Sequence, residues 1–124
     1  HLIAGGTPRP GGNVSLAICA PGNASRFYQL GSSLGLGPMA IDNRFLDLAP
    51  DHLLVASSSG NLPWIFSGYR GVIDSGGKAS AALNIPSIPA LIGTRVHSAF
   101  VTLDPKAPSG IWAISNTETV VISK

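Results

Sequence analysis

The sequence predicts an all-β fold: an antiparallel two-sheet β-sandwich, immunoglobulin-like or jelly-roll-like, with about seven to nine strands. Three observations carry this expectation. Short apolar runs recur between turn residues at intervals of about eight to twelve residues. Fifteen Gly and ten Pro supply the turns. No window holds a sustained 3.6-residue apolar period, because Gly or Pro interrupts most of them.

Val14, Leu16 and Ile18 alternate with Ser15, Ala17 and Cys19, the pattern of a strand with one buried face. Pro21, Gly22 and Asn23 end it. Residues 26–30 form the second strand, and residues 31–38 read as a Gly/Ser/Leu loop. A third strand falls within residues 39–48, followed by a turn at Ala49, Pro50 and Asp51. Residues 52–56 read as a fourth strand, and residues 57–61 as a Ser-rich loop. Residues 64–73 alternate imperfectly and make a fifth. Ser75, Gly76 and Gly77 form a tight turn that demands positive φ. Ala79, Ala81, Leu83 and Ile85 share one face of a sixth strand. Residues 95–103 are apolar on both sides, as suits a central strand. Residues 104–110 form a loop with Pro at 105 and 108. Residues 111–114 and 119–123 close the fold. The expected core is Val14, Leu16, Ile18, Leu53, Val55, Phe66, Leu83, Ile85, Val96, Phe100 and Ile114.

The chain has 124 residues, enough for one real core. Residues 1–12 read as an N-terminal arm with a Gly/Pro linker, and residues 13–124 as the sandwich domain. Charged residues make up 11%, against about a quarter in typical domains. The eight Lys and Arg are scattered, so no phosphate-tracking surface and no nucleic-acid partner is expected. No stretch reaches the roughly 20 apolar residues of a membrane helix, so no membrane insertion is expected. The single cysteine, Cys19, allows neither an internal disulfide nor a cysteine cluster for zinc. His1 is not an initiator Met, so the chain reads as a processed mature protein or a piece of a longer one. So little charge covers a monomer poorly, and part of the surface is expected to be buried against another chain.

Gly6-Thr7-Pro8-Arg9-Pro10-Gly11 is followed by an alternating strand. Asp74-Ser75-Gly76-Gly77-Lys78-Ala79 leads to Leu83-Asn84-Ile85-Pro86 and then Leu91-Ile92-Gly93. Leu103-Asp104-Pro105 and Ser115-Asn116 come last. In order and spacing these segments resemble a β-sandwich module of predicted secreted planctomycete proteins, where it often sits at the C-terminus of larger extracellular chains. The resemblance spans most of the sequence. It implies an extracellular or cell-surface setting and supplies no catalytic residues. His97 stands where that family usually has an aromatic, and Ala99 where it often has Gln.

Candidate chemistry is sparse. His1, His52 and His97 have no spacing that converges on a metal, so no metal site or cofactor is expected. The serines at 57–59 lack the strand-to-helix elbow that presents a nucleophile. Cys19 alternates with apolar neighbours and reads as a small hydrophobe without an activating charge. Asp42, Asp47, Asp51, Asp74 and Asp104 fall near turns, without the dense ligand run that calcium needs. Asp74 is expected to bond its own turn. Of Trp64, Phe66, Tyr69 and Trp112, Trp64 beside Pro63 is the expected surface aromatic and the others are expected in the core. Asn13-Val14-Ser15 and Asn23-Ala24-Ser25 match the glycosylation acceptor pattern.

The expected function is that of a non-catalytic extracellular structural protein, a self-associating sandwich subunit of a surface assembly or filament. Its partners would be copies of itself. The apolar tip Leu2, Ile3 and Ala4 is the expected self-association segment, reaching a neighbouring subunit by strand addition or in a groove. The alternative for that tip is an edge strand on its own sandwich. The alternative function is a carbohydrate-binding or cell-surface-anchoring module of a larger secreted protein, with cell-surface polysaccharide as partner.

Overall fold

A computed structural model describes the whole chain except Pro38, Asp42, Asn43, Gly60, Asn61, Pro63, Pro108, Ser109, Lys124 and the side chain of His52. The turn residues expected at Pro38, Gly60, Asn61 and Pro108, and the calcium candidate Asp42, lie outside the described residues. The chain is mostly β, with antiparallel pairing in every ladder. In order, the elements are β1 (Leu2–Gly6), β2 (Asn13–Cys19), β3 (Phe27–Ser33), β4 (Met39–Ile41), β5 (Arg44–Leu46), α1 (His52–Ser59), β6 (Phe66–Ser67), β7 (Arg70–Val72), β8 (Lys78–Asn84), β9 (Arg95–Leu103), β10 (Ile111–Ile114) and β11 (Glu118–Val121).

The first sheet has the order β1-β2-β8-β6. The second has the order β10-β9-β3-β7, with β11 also paired to β9, and β4-β5 form a separate ribbon. The nine-residue β9 organises the second sheet. One side pairs with β3 from Phe27↔Leu103 to Ser33↔His97. The other side holds β10 along Val101, Thr102 and Leu103, and β11 along residues 95–98. Side chains alternate along β9, so both of its faces are buried. Val96 and Phe100 join a core cluster with Val14, Leu16, Ile18 and Leu83 of the first sheet. Ala99 and Val101 join a second cluster with Leu46 and Leu48, against which Leu54 of α1 packs. The ribbon and the helix thus cover part of the second sheet's other face.

The expected fourth strand is instead α1. Asp51 explains this: its carboxylate accepts the Leu54 N–H at 2.9 Å, the hydrogen bond of an N-cap residue. Residues 52–59 contain no Gly or Pro. Ser57, Ser58 and Ser59 return their hydroxyls to carbonyls three or four residues back, at Leu54 or Ala56. Apolar residues at four consecutive positions, 53 to 56, give no helical period in the sequence. The helix changes the core. Val55 is 65% exposed and Leu53 only half-buried, whereas a strand would have buried both. Ile114 is also half-buried, at the second cluster rather than in the first. The other eight expected core residues are buried.

Three further elements differ from expectation. Strand β3 runs on through Gly31, Ser32 and Ser33, which read as loop but are buried. Gly31 leaves room for α1, because a Cβ there would sit 2.6 Å from Leu54 Cδ1. The expected fifth strand is two short strands, β6 and β7, in different sheets. The change of sheet occurs at Gly68, whose φ is +70°. The expected N-terminal arm is strand β1, paired with β2 from Leu2↔Ile18 to Gly6↔Val14. Burial of Leu2 in the first core cluster draws this segment onto its own chain.

The turn at residues 74–78 has the expected Gly geometry, with Gly77 at φ +78°. It does not close a hairpin, because β7 and β8 belong to different sheets. Asp74 Oδ1 accepts the N–H groups of Gly76 and Lys78, both at 2.9 Å, as its place beside the glycines suggested.

Candidate functional site

Ser33, Asp51 and His97 come from three elements, and Ser33 lies opposite His97 in the ladder. Yet Ser33 Oγ bonds Asp51 Oδ2 at 3.0 Å, while His97 Nδ1 bonds Thr119 Oγ1 at 2.7 Å. Asp51 is committed to structure. Burial pushes its carboxyl up, but the N–H groups of Leu54, Leu34 and Leu53 and the Ser33 hydroxyl together pull it below the ordinary carboxylate range. Ser32, Ser98 and Tyr69 make a buried hydroxyl chain, with Ser32 Oγ at 2.6 Å from Ser98 Oγ and 2.7 Å from Tyr69 Oη. Burial pushes the Tyr69 phenol up to about 12, against the opposing pull of those two serines. A phenol held that high stays protonated, and either hydroxyl of the Ser32–Tyr69 pair can donate to the other.

The remaining candidates are dispersed. Among the described residues no three His, Cys, Asp or Glu side chains group as a metal site would require. Asp74 bonds its turn, Asp104 pairs with Arg26 at 3.5 Å, and Asp47 is exposed. Cys19 is half-buried and lies opposite Lys78 in the ladder, a cation that the sequence did not place near it. The Asn13 amide bonds Asn84, and the Asn23 amide accepts from Thr102.

Of the four aromatics, Phe66 and Tyr69 are buried and pack with centroids 5.2 Å apart. Trp64 is 66% exposed, as expected. Trp112 is a correction: it is 49% exposed. It sits where β10 slips between Ile111 and Ala113, and a bulge re-aims the side chain it carries. One face of its ring is covered by the Arg26 guanidinium at 4.2 Å. Nothing in the sequence marks that bulge.

Several stretches of sheet edge are guarded among the described residues. In an antiparallel ladder alternate residues direct their backbone groups away from the partner strand. Cys19 N–H bonds the His1 carbonyl at 2.8 Å, so on β1 the outward residues are Leu2, Ala4 and Gly6. Leu2 N–H donates to Asn116 Oδ1 at 2.7 Å, and Asn116 Nδ2 donates to the Leu2 carbonyl at 3.1 Å. The side-chain amide thus stands in for a neighbouring strand. Glu118 accepts the Ala4 N–H at 3.4 Å. On β3, beyond the reach of β7, Ser57 Oγ serves Ser32 in a similar way, accepting its N–H at 2.9 Å and sharing its one proton between the carbonyls of Ser32 at 3.2 Å and Leu54 at 3.1 Å. Strands β6 and β7, at two sheet edges, have only two and three residues.

The tip residues therefore divide. Leu2 is fully buried in its own core, Ala4 is half-buried against it, and Ile3 is 50% exposed. A larger apolar feature lies on the second sheet. Cross-strand partners share a face, and the register aligns Val72, Phe27, Leu103 and Ile111 in one row. Leu103 and Ile111 pack against the second cluster. Phe27 and Val72 extend the row into solvent, 60% and 51% exposed. Sequence reasoning missed this ledge, because alternation marks residues sharing a face but not which part of that face is covered. No family model, curated protein or solved structure matches this chain.

Proposed function

We propose that this chain is a non-catalytic β-sandwich module that associates with copies of itself, as a subunit of an extracellular or surface assembly. In this reading the two main sheets face each other across the first core cluster, in the manner of immunoglobulin-like and jelly-roll folds. The observation that carries self-association is the exposed ledge of Phe27 and Val72, on a chain with few charges to keep such a patch dispersed. The guarded edges argue for contact through side-chain faces rather than strand addition. Ile3 is the part of the N-terminal tip available to such a contact. The extracellular setting rests on the resemblance to secreted planctomycete modules.

The test is the mass in solution by light scattering across a concentration series. The wild type should exceed the 12.7 kDa of one chain, and the double variant Phe27→Ser, Val72→Ser should return to it. A wild type that stays at 12.7 kDa throughout would overturn self-association. It would favour the second reading, a carbohydrate-binding or anchoring module, for which the exposed Trp64 offers a stacking face.

A further inference from the structure

One end of the first core cluster opens into a cleft of about 340 Å³. Its walls come from α1, the segment between α1 and β6, the end of β8, the 3₁₀ turn Pro89–Leu91 and the start of β9. Leu53, Leu62, Ile65, Leu83, Leu91 and Val96 represent these walls. Eleven of the twelve lining residues are apolar, and Thr94 supplies the one hydroxyl. None of the twelve is charged. The size and the apolar lining match those of small-molecule sites, which run from about 300 to 1,000 Å³.

Backbone hydrogen bonds brace the walls. Gly93 N–H bonds the Ile122 carbonyl at 2.6 Å, and Ile122 N–H bonds the Thr94 carbonyl at 2.9 Å. Asn84 N–H bonds the Ile65 carbonyl at 2.7 Å, and Leu91 N–H bonds the Ile88 carbonyl at 3.0 Å. The rim of the cleft is also apolar: Leu34, a lining residue, is 55% exposed, and Ile88 and Ile92 flank Leu91 at 50% and 42% exposure.

The lining selects the chemical class of occupant. A peptide or a sugar would bury N–H, C=O or O–H groups against walls that offer one hydroxyl, leaving them unpaired. Among the described residues of the walls and rim no cation meets a carboxylate or phosphate, and the apolar rim at Leu34, Ile88 and Ile92 suits a neutral head. Phe66, the aromatic of the lining, already packs on Tyr69, and the other walls are mainly branched aliphatic. We infer that the cleft binds one aliphatic chain of the fatty-alcohol class, with its polar head left at the rim. A cavity of about 150 Å³ accommodates the six carbons of benzene, so this one holds roughly a dozen. The ligand site goes beyond self-association and uses none of the Phe27 and Val72 surface.

The test is calorimetric titration of the purified chain with a series of n-alkanols from hexanol to tetradecanol. Affinity should rise about fourfold per added CH₂, then level off near twelve carbons when the cleft is full. Leu53→Trp, which narrows the cleft from its half-buried helix side, should abolish the dependence on chain length. Leu62→Trp serves the same purpose from the segment that follows α1 should the first variant not fold. Absence of saturable binding to the wild type would overturn the inference. So would undiminished binding by a folded Trp variant, or a series with no plateau, since both describe unspecific adsorption. A dimer that Ile65→Asp dissociates, in a chain that binds no alkanol, would assign the cleft to a second copy instead.

Discussion

Asn116 should hold the N-terminal strand through a two-point contact whose geometry can be dissected. Its side chain accepts one backbone bond from Leu2 at 2.7 Å and donates one back at 3.1 Å. Each such bond contributes about 1 kcal/mol net. Water reaches the edge in part when the amide is removed, so Asn116→Ala should cost about 1–2 kcal/mol. At about 4 °C per kcal/mol for a domain of this size, melting should fall by about 4–8 °C. Asn116→Asp is the sharper probe. At neutral pH it keeps the acceptor for Leu2 N–H, loses the donor, and sets a carboxylate against the Leu2 carbonyl and toward Glu118, which bonds Ala4. It should therefore be no more stable than Asn116→Ala, despite being nearly isosteric with Asn. Below about pH 4 the protonated acid regains a donor and part of the loss should be recovered. Amide exchange gives the local readout: Leu2 N–H, which loses its acceptor, should exchange about tenfold faster in Asn116→Ala at pH 7, in line with the lost free energy. Equal stability of Asn116→Asp and wild type at pH 7, or unchanged exchange at Leu2 in Asn116→Ala, would refute the two-point contact.

Gly77→Val should cost about 2 kcal/mol or more in urea denaturation. Its φ of +78° disfavours a Cβ, which would also meet the Ala20 carbonyl and Pro21 Cα at 3.0 Å. Gly76→Ala is the control, since a Cβ there meets only Asp74 Oδ1 at an ordinary 3.4 Å, and it should change stability by less than about 0.5 kcal/mol. Asp51→Ala should cost about 1–2 kcal/mol through loss of the helix cap. The folded Asp51 carboxyl lies below its ordinary value, so the stability it adds is fully present above the unfolded pKa of about 3.9 and is lost as pH falls through the lower folded value. The wild type should therefore lose its advantage over Asp51→Asn below about pH 4, as read from melting curves over pH 2–7.

Where one face of a strand is buried and the other wet, the sequence was legible. Val14, Leu16 and Ile18 on β2, and Ala81 and Leu83 on β8 with Ile85 just beyond its end, follow the two-residue period that burial imposes. The bounds of β9 and β10 were read directly, because apolar runs there end at Asp104 and Ser115. Legibility failed where long-range partners decide the outcome. Gly31, Ser32 and Ser33 look like a loop, and become buried strand because β9 pairs with them and Ser57 meets Ser32 from the helix. Asp51 resembles a turn residue until its carboxylate is seen on Leu54. Of the candidate surface, Trp64 was foreseen from its place beside Pro63. Phe27 and Val72 were not, because they are 45 positions apart and meet only through the register of β3 and β7.

These failures share a physical cause that bears on assembly. A sheet edge must pair its outward N–H and C=O groups, and a neighbouring strand is only one way to do so. Here Asn116 serves Leu2 and Ser57 serves Ser32, each from an element distant in sequence. Neither pairing leaves a periodic trace, so the apolar tip at Leu2, Ile3 and Ala4 reads as a free strand seeking a partner. Once Asn116 occupies the outward groups of Leu2, an incoming strand must displace it and regain no more bonds than it breaks at that residue. The apolar row at Phe27 and Val72 carries no such penalty, because burying it requires no internal bond to open. In the proposed self-association, contact through that face therefore leaves the Asn116 cap in place, whereas strand addition at Leu2 must exchange it bond for bond.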